Sequence, residues 1–202
     1  MDKIALIALM GTILGACSMA VNDVPQTTPP GKLKFGMSLG NYLSYKSGKF
    51  VSTPLAGISG RYGLNYNTDI GFRVFEAGFG LEGKRAFTDR VAISLGTVLG
   101  KIGSGSVLYN VYGTFLYGLR SSGTIPYIYI KPLISGFIGS SDDTTETLPI
   151  PSGFAIQGGF GYHGDPEKLL QPSAEIGVYF PLSGNLVPII IISLGLNLQI
   201  GN

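Results

Sequence analysis

The stretch Leu33-Lys34-Phe35-Gly36-Met37-Ser38-Leu39-Gly40 decides the fold, because large apolar residues alternate in it with small or polar ones. A period of two residues is that of a β-strand with one apolar face and one small or polar face. The same alternation recurs to the end of the chain, in about nine segments long enough to be strands that cross a membrane. The sequence therefore predicts an all-β protein.

The number of strands depends on the run from Ile70 to Phe87, which is long for one strand. It is either a single strand with a bulge or two strands folded near Glu76-Ala77-Gly78. Closed barrels in bacterial membranes have an even number of antiparallel strands, so we predict a closed up-and-down barrel of 8–10 strands. The polar run from Tyr45 to Thr53 predicts a loop, and Asn67-Thr68-Asp69 predicts a turn.

The composition favours a barrel that crosses a membrane over a soluble one. Charged residues make up 13% of the chain, about half the usual share, and the 31 glycines are about twice the average number. A net charge of +2 is too small to indicate a nucleic-acid-binding protein. The alternative is a soluble periplasmic β domain, lipocalin-like, that buries its apolar faces internally and holds a small apolar ligand.

The face opposite the apolar one is rich in glycine, serine and alanine, and it carries isolated charges. An Arg or Lys on the lipid face would cost about 2–4 kcal/mol near the midplane, so these charges are expected to point inward. A barrel of about eight strands has room for side chains and little else. The sequence predicts a plugged, salt-bridged lumen without a cofactor, and its expected charge network is Arg61, Glu76, Glu82, Lys84, Lys131 and Glu175.

The start of the chain predicts export. An apolar run from Ile4 to Leu14 has the length of a signal-peptide core and is too short to span a bilayer. The block Leu14-Gly15-Ala16-Cys17, which holds the single cysteine, resembles the lipobox of bacterial lipoproteins. That resemblance implies cleavage before Cys17 and acylation of this residue, which labelled palmitate would detect. Cleavage after Ser18-Met19-Ala20, leaving Val21 as the new N-terminus, is a second possibility, and an uncleaved helix is a third.

The predicted organisation is thus a signal peptide at 1–16, a lipidated flexible tether at 17–32 and a β-barrel domain at 33–202. The body resembles bacterial outer-membrane β-barrel proteins, and the stretch from Pro188 to Gly201 looks like their usual last strand. The resemblance implies a lipid-anchored protein of the outer membrane. Its expected partners are membrane lipids and not nucleic acid, and the chain is expected to be a monomer.

No stretch of the chain carries a strong catalytic or metal-binding motif. Gly78-Phe79-Gly80-Leu81-Glu82-Gly83 matches a phosphate-binding motif in letters, but strand alternation continues after it where a helix is required. His163, the only histidine, is read as a strand-end residue, and the alternative is the base of a lipid-modifying enzyme. We therefore expect a non-enzymatic, structural role in the cell envelope, with no metal site.

Overall fold

A computed structural model describes residues 22–46, 49–75, 78–102, 106–138, 152–183 and 187–200. These residues form ten strands and no helix. The strands are β1 (Leu33–Lys46), β2 (Lys49–Asn65), β3 (Thr68–Phe75), β4 (Gly78–Thr88), β5 (Val91–Ile102), β6 (Ser106–Gly118), β7 (Ile125–Ile138), β8 (Gly153–His163), β9 (Leu170–Pro181) and β10 (Ile189–Ile200).

Each strand pairs antiparallel with its neighbours in sequence, and β1 pairs with β10 to close the barrel. The closing register places Leu33 opposite Ile200 and Ser44 opposite Ile189. The predicted closed up-and-down barrel is confirmed, with ten strands. The long run that begins at Ile70 is resolved as two strands, β3 and β4, which is what makes the number even.

The polar run at 45–53 is not the loop that the sequence predicts. β1 continues to Lys46 and β2 begins at Lys49, so nearly all of that run is paired strand. The rings of Tyr45 and Phe50 face each other across the hairpin at 5.1 Å, edge to face. Cross-strand aromatic pairs of this kind stabilise a hairpin, which explains why a polar stretch extends the two strands here.

The barrel has two different ends. At the end called the turn end lie the start of β1, the end of β10 and the connections at 66–67, 89–90, 119–124 and 164–169. The opposite end, called the loop end, carries the five connections that follow the odd-numbered strands: β1 to β2, β3 to β4, β5 to β6, β7 to β8 and β9 to β10. The turn-end connections have two to six residues, and the longest connection, fourteen residues between β7 and β8, is at the loop end.

The alternation along the strands separates an apolar outer face from a buried inner face. In β4 and β9 exposed and buried positions alternate almost without interruption. Large apolar side chains are exposed on the outer face of every strand, for example Met37, Leu39, Leu95, Ile130 and Leu194. Because no second sheet covers them within the described residues, their solvent is expected to be hydrocarbon.

None of the described residues lies in a helix long and apolar enough to span a bilayer.

The inside of the barrel also has two different halves. Toward the loop end the interior is an apolar half, formed by Tyr42, Phe75, Val98, Leu108, Tyr112, Leu133, Ala155, Tyr179, Ile189 and Ile191. From the middle to the turn end it is a charged half, in which carboxylates, ammonium groups and guanidinium groups are buried beside a small apolar cluster. The candidate site lies in this charged half.

Candidate functional site in the barrel lumen

The structure places five of the six predicted lumen charges inside the barrel. All five are buried: Arg61, Glu82, Lys84, Lys131 and Glu175. Each occupies the inward position of its strand, because alternation sends its neighbours to the lipid face. The sixth, Glu76, and the predicted lipidation site Cys17 lie outside the described residues.

Arg61 is the centre of the ion pairs in the charged half. Its Nη1 donates to Asp69 Oδ1 at 2.5 Å, and its Nη2 lies 2.9 Å from Asp23 Oδ2 and contacts Glu82 Oε1. Arg73 Nη2 approaches the other oxygen of Glu82 at 3.4 Å. A guanidinium has five donors in a fixed fork, so a single buried arginine can hold carboxylates from several chain segments.

Asp23 belongs to the predicted tether and not to a strand. The described part of that tether, called the N-terminal segment (residues 22–32), does not lie between the barrel and the membrane. It runs from the turn end into the lumen, where Asp23 is buried. The physical reason is charge. The Asp23 carboxylate contacts two cations of the wall, Arg61 and Lys84, and adds a negative charge where cations outnumber the carboxylates of the strands.

Lys84 is the second of those cations and holds the N-terminal segment at four points. Its Nζ lies 3.1 Å from both oxygens of Asp23, and it donates to the carbonyls of Val24 at 3.0 Å and Gln26 at 2.8 Å. It also lies 3.5 Å from Asp69 Oδ2. The ammonium group thus replaces its lost water by oxygens of the segment and the wall.

The tip of the N-terminal segment is fixed to the opposite wall. The backbone N–H of Asn22 donates to Glu175 Oε2 at 2.7 Å, and Ser193 Oγ donates to the Asn22 side-chain oxygen at 3.1 Å. Val24, only 1% exposed, packs in the small apolar cluster with Leu116, Tyr127 and three further residues, Ala92, Ile125 and Tyr129. The segment therefore crosses the lumen from β2–β4 to β9–β10.

The mouth of the barrel at the turn end is covered by the next residues of the segment. Gln26 Nε2 donates to the carbonyl of Asp89 at 2.5 Å, and Thr27 Oγ1 donates to the carbonyl of Tyr66 at 2.7 Å. The N–H of Gly31, which has a positive φ of 73°, donates to the carbonyl of Gly63 at 2.9 Å. That left-handed conformation, which suits glycine, turns the segment into β1.

The remaining two predicted charges are held by tyrosines. Tyr127 and Tyr129 each donate a hydroxyl hydrogen bond of 2.9 Å to Glu175. Lys131 Nζ lies 4.1 Å from the ring centroid of Tyr112, whose hydroxyl donates to Glu82 at 2.8 Å. Cation–π contact and charged hydrogen bonds thus satisfy these buried groups.

One polar cavity borders the segment. A cavity of about 40 Å³ lies between Asn22, Lys34, Ser59, Arg61 and Asn197. A volume of this size holds one or a few water molecules and no solute of the size of a sugar or an amino acid. The N-terminal segment and side chains of the charged half thus line a small polar cavity.

Burial by itself would raise the pKa of Asp23, but the positive charges of Arg61 and Lys84 outweigh it and hold that pKa well below its usual range. The Asp23 carboxyl is thus ionised at neutral pH, as its ion pairs require.

His163 is buried at the turn end, and neither ring nitrogen is hydrogen-bonded to a hydroxyl of the described residues, although Ser173 is its register partner on β9. Its Nδ1 lies 2.7 Å from the carbonyl of Gly164, which fixes Nδ1–H as the donor. Its Nε2 then accepts from Lys34 Nζ at 3.1 Å and from Asn197 Nδ2 at 3.2 Å. Both ring nitrogens are engaged, and His163 is the last residue of β8, the strand-end position that the sequence predicts, with its side chain buried inside the barrel.

Among the residues that the structure describes, no group of three or more His, Cys, Asp or Glu side chains is placed to hold a metal ion.

Sequence reasoning missed Asp23, Lys34, Asp69 and Arg73. Asp69 and Arg73 share the inward parity of β3, opposite to Ile70, Phe72 and Val74, but the turn prediction at 67–69 concealed the first. Lys34 occupies an inward position in the opening stretch itself. Asp23 carries no such signal, because a proline-rich segment has no strand period from which an inward position can be inferred.

Comparisons with known proteins add little. No protein-family model matches this chain, and no curated protein matches it in sequence. Among solved structures it is similar to Neisserial surface protein A, with 11% identity, a TM-score of 0.44, and 83% of this chain and 98% of that one covered. A bacterial polysaccharide outer membrane secretin gives 10% identity, a TM-score of 0.44, and 89% and 100% covered. The attachment invasion locus protein Ail of Yersinia pestis gives 12% identity, a TM-score of 0.36, and 85% and 99% covered. At such low identity and TM-score, these similarities carry no argument about what this chain binds or does.

Proposed function

We propose that this protein is a lipid-anchored β-barrel of the bacterial outer membrane, with a structural, non-enzymatic role in the envelope and a lumen closed by its own N-terminal segment. The observation that carries the proposal is Asp23, buried between Arg61 and Lys84 inside a barrel whose outer face is apolar. A carboxylate of the segment would leave water for the lumen only where such partners receive it.

The placement in a membrane follows from the outer face. Large apolar side chains stay exposed along its strands, and every backbone ladder is closed by the pairing of β1 with β10. A closed ladder is what a strand needs in hydrocarbon, where water cannot satisfy an edge. A soluble barrel with the same residues would expose far more apolar surface than monomers in water usually do.

The closed lumen is tested by conductance in planar bilayers. The wild-type protein is expected to give no stable current steps. Asp23→Lys places a third cation beside Arg61 and Lys84, so the N-terminal segment should be expelled and current steps should appear. Heat-modifiable gel migration checks that each variant is folded.

The matched control is Asp89→Lys, which makes the same charge change in an exposed turn at the same end and should stay silent. Large stable steps from the wild type would contradict a closed lumen, and so would a folded Asp23→Lys variant that stays silent.

The lipid anchor on Cys17 is the second part of the proposal. Cys17 stands five positions before Asn22, at most about 18 Å of extended chain, so its acyl chains would have to enter the bilayer near a mouth of the barrel. Radiolabelled palmitate should mark the wild type and not Cys17→Ala. Mass spectrometry of the mature N-terminus decides the alternative, because cleavage after Ala20 would leave an unlipidated Val21.

A non-enzymatic role is supported by the contacts of His163, whose described partners are Lys34, Asn197 and the carbonyl of Gly164. A general base needs a hydroxyl nucleophile and access to substrate, and this buried imidazole is completely unexposed. His163→Ala is expected to leave the lipid composition of the host membrane unchanged. A change in acyl composition would favour the lipid-modifying enzyme instead.

A further inference from the structure

Three arginines lie together on the outside of the barrel at the turn end, and they are here called the arginine edge: Arg85, Arg90 and Arg120. Arg85 is on the outward face of β4, three residues before the strand ends. Arg90 follows in the tight connection to β5, and Arg120 follows the end of β6 by two residues. The N–H of Gly118 donates to the carbonyl of Arg90 at 2.8 Å, which brings the last two close together.

All three arginine side chains are exposed, and none takes part in an ion pair with another described residue. The nearest carboxylate in sequence is Asp89 in the same connection. The arginine edge with Asp89 therefore has a net charge of +2 on one sector of the rim, from three positive groups and one negative group.

The other six-residue connection of the turn end has the opposite balance. Between β8 and β9, Asp165 and Glu167 outnumber Lys168, which gives a net charge of −1. The positive charge is thus gathered on the sector from β4 to β7 and is not spread evenly around the rim.

The arginine edge borders directly on the apolar outer face. Arg85 Cζ lies 6.0 Å from the ring centroid of Phe87, and its register partner on β5 is Ile93, which in turn pairs with Phe115. All three of these apolar side chains are exposed. An arginine costs about 2–4 kcal/mol at the midplane of a membrane and about 0–1 kcal/mol near its surface. The level of Arg85 on the outer face is therefore expected to lie in the headgroup layer.

We infer that the arginine edge binds the phosphate of anionic phospholipids in the leaflet at the turn end. A guanidinium matches two phosphate oxygens at once, and the apolar residues beside it accept the acyl chains. The longest connection, the fourteen residues between β7 and β8, is at the loop end. Bacterial outer-membrane barrels have their long loops on the outside and their short turns in the periplasm, so the turn end faces the periplasm and its leaflet is the inner one, which holds phospholipid. The inference rests on the proposed placement in the outer membrane.

The experiment uses the full-length protein in dodecylmaltoside, titrated with phosphatidylglycerol or phosphatidylcholine and followed by native mass spectrometry. We expect the wild type to bind phosphatidylglycerol at a lipid concentration at least about tenfold lower than it needs for phosphatidylcholine. The reason is that each cation near the surface contributes about 1 kcal/mol. The triple variant Arg85→Gln, Arg90→Gln, Arg120→Gln should lose that preference. The matched control Lys32→Gln, Lys49→Gln, Lys168→Gln removes the same charge and should keep it.

An unchanged preference in the folded arginine variant would overturn the inference, and so would an equal loss in both triple variants, which would mean that net charge alone decides. Binding of both lipids without any preference would overturn it while leaving the membrane barrel intact. A barrel that retains neither lipid and stays soluble without detergent would contradict the proposed function itself.

Discussion

The two halves of the barrel interior are filled in different ways. The apolar half at the loop end is filled by strand side chains such as Tyr42, Leu108 and Tyr179. The charged half is completed by a part of the chain that is not a strand, through Asp23 and Val24. Within the part of the chain that the structure describes, the first half is therefore formed by strand side chains, whereas the second also contains the N-terminal segment.

This difference predicts different consequences of mutation. Removing one partner of a buried ion pair leaves an uncompensated charge and costs about 3–5 kcal/mol. Removing apolar atoms leaves only a cavity, whose cost depends on how far the neighbours close around it. Substitutions in the charged half should therefore affect both stability and the seating of the segment, and those in the apolar half should affect stability alone.

The largest effect is expected for Arg61→Met, which keeps an unbranched stem and removes the guanidinium that partners Asp23, Asp69 and Glu82. Three buried carboxylates then lose their shared cation, so unfolding should become easier by at least about 3–5 kcal/mol. Urea unfolding of the protein in lipid vesicles measures this. Lys168→Met in an exposed turn serves as the control and should change stability by less than about 0.5 kcal/mol.

Leu108→Ala tests the apolar half. The side chain is 2% exposed, so its truncation should cost about 2–5 kcal/mol, and the bilayer should still show no current steps. Leu169→Ala, in the exposed connection between β8 and β9, is the matched substitution with little expected effect. Current steps from the folded Leu108→Ala protein would show that the two halves are not independent.

Val24→Ala tests the apolar hold on the N-terminal segment. Two buried methyl groups are lost, which should cost about 1.6 kcal/mol at about 0.8 kcal/mol for each carbon. Because the ion pairs of Asp23 remain, we expect brief, rare current steps and not a permanently open pore. A fully open Val24→Ala barrel would mean that packing, and not charge, retains the segment.

The smallest effect is expected for a change of pH. The folded pKa of Asp23 lies below its ordinary value of 3.8, so its contribution to stability is present above that value and is lost only as the pH falls toward the folded pKa. Between pH 8 and pH 5 the lumen should therefore stay closed. Reversible current steps in the wild type on going to pH 5 would contradict the assigned ion pairs of Asp23.

The sequence predicts the wall of the barrel better than its contents. Alternation such as that from Leu33 to Gly40 fixes both the strand and its lipid face, because the side-chain period of a strand leaves one choice of face. The inward positions of Arg61, Lys84 and Glu175 follow from the same parity. Which groups these charges pair with cannot follow from parity, since pairing depends on the register of β2, β3 and β4 and on the position of Asp23, which lies in no strand.

The N-terminal segment shows where such reasoning ends. Its prolines and polar residues argue correctly against a strand, and the same composition is typical of a flexible linker. Nothing local distinguishes a linker in water from a segment inside a barrel. The deciding fact is the excess of cations on the wall around Asp23. It becomes visible only when the fold places β2 and β4 on either side of β3.

The contacts of Asn22 also constrain the order of assembly. Its hydrogen bonds reach Glu175 and Ser193, partners that lie 153 and 171 positions later in the chain. Since synthesis runs from the N-terminus, the N-terminal segment cannot take up its place in the lumen until β9 and β10 have been made. Contacts so distant in sequence form slowly. The pairing of β1 with β10 and the hydrogen bonds of Asn22 would then form together as one late event. A chain truncated before β9 should therefore lack both.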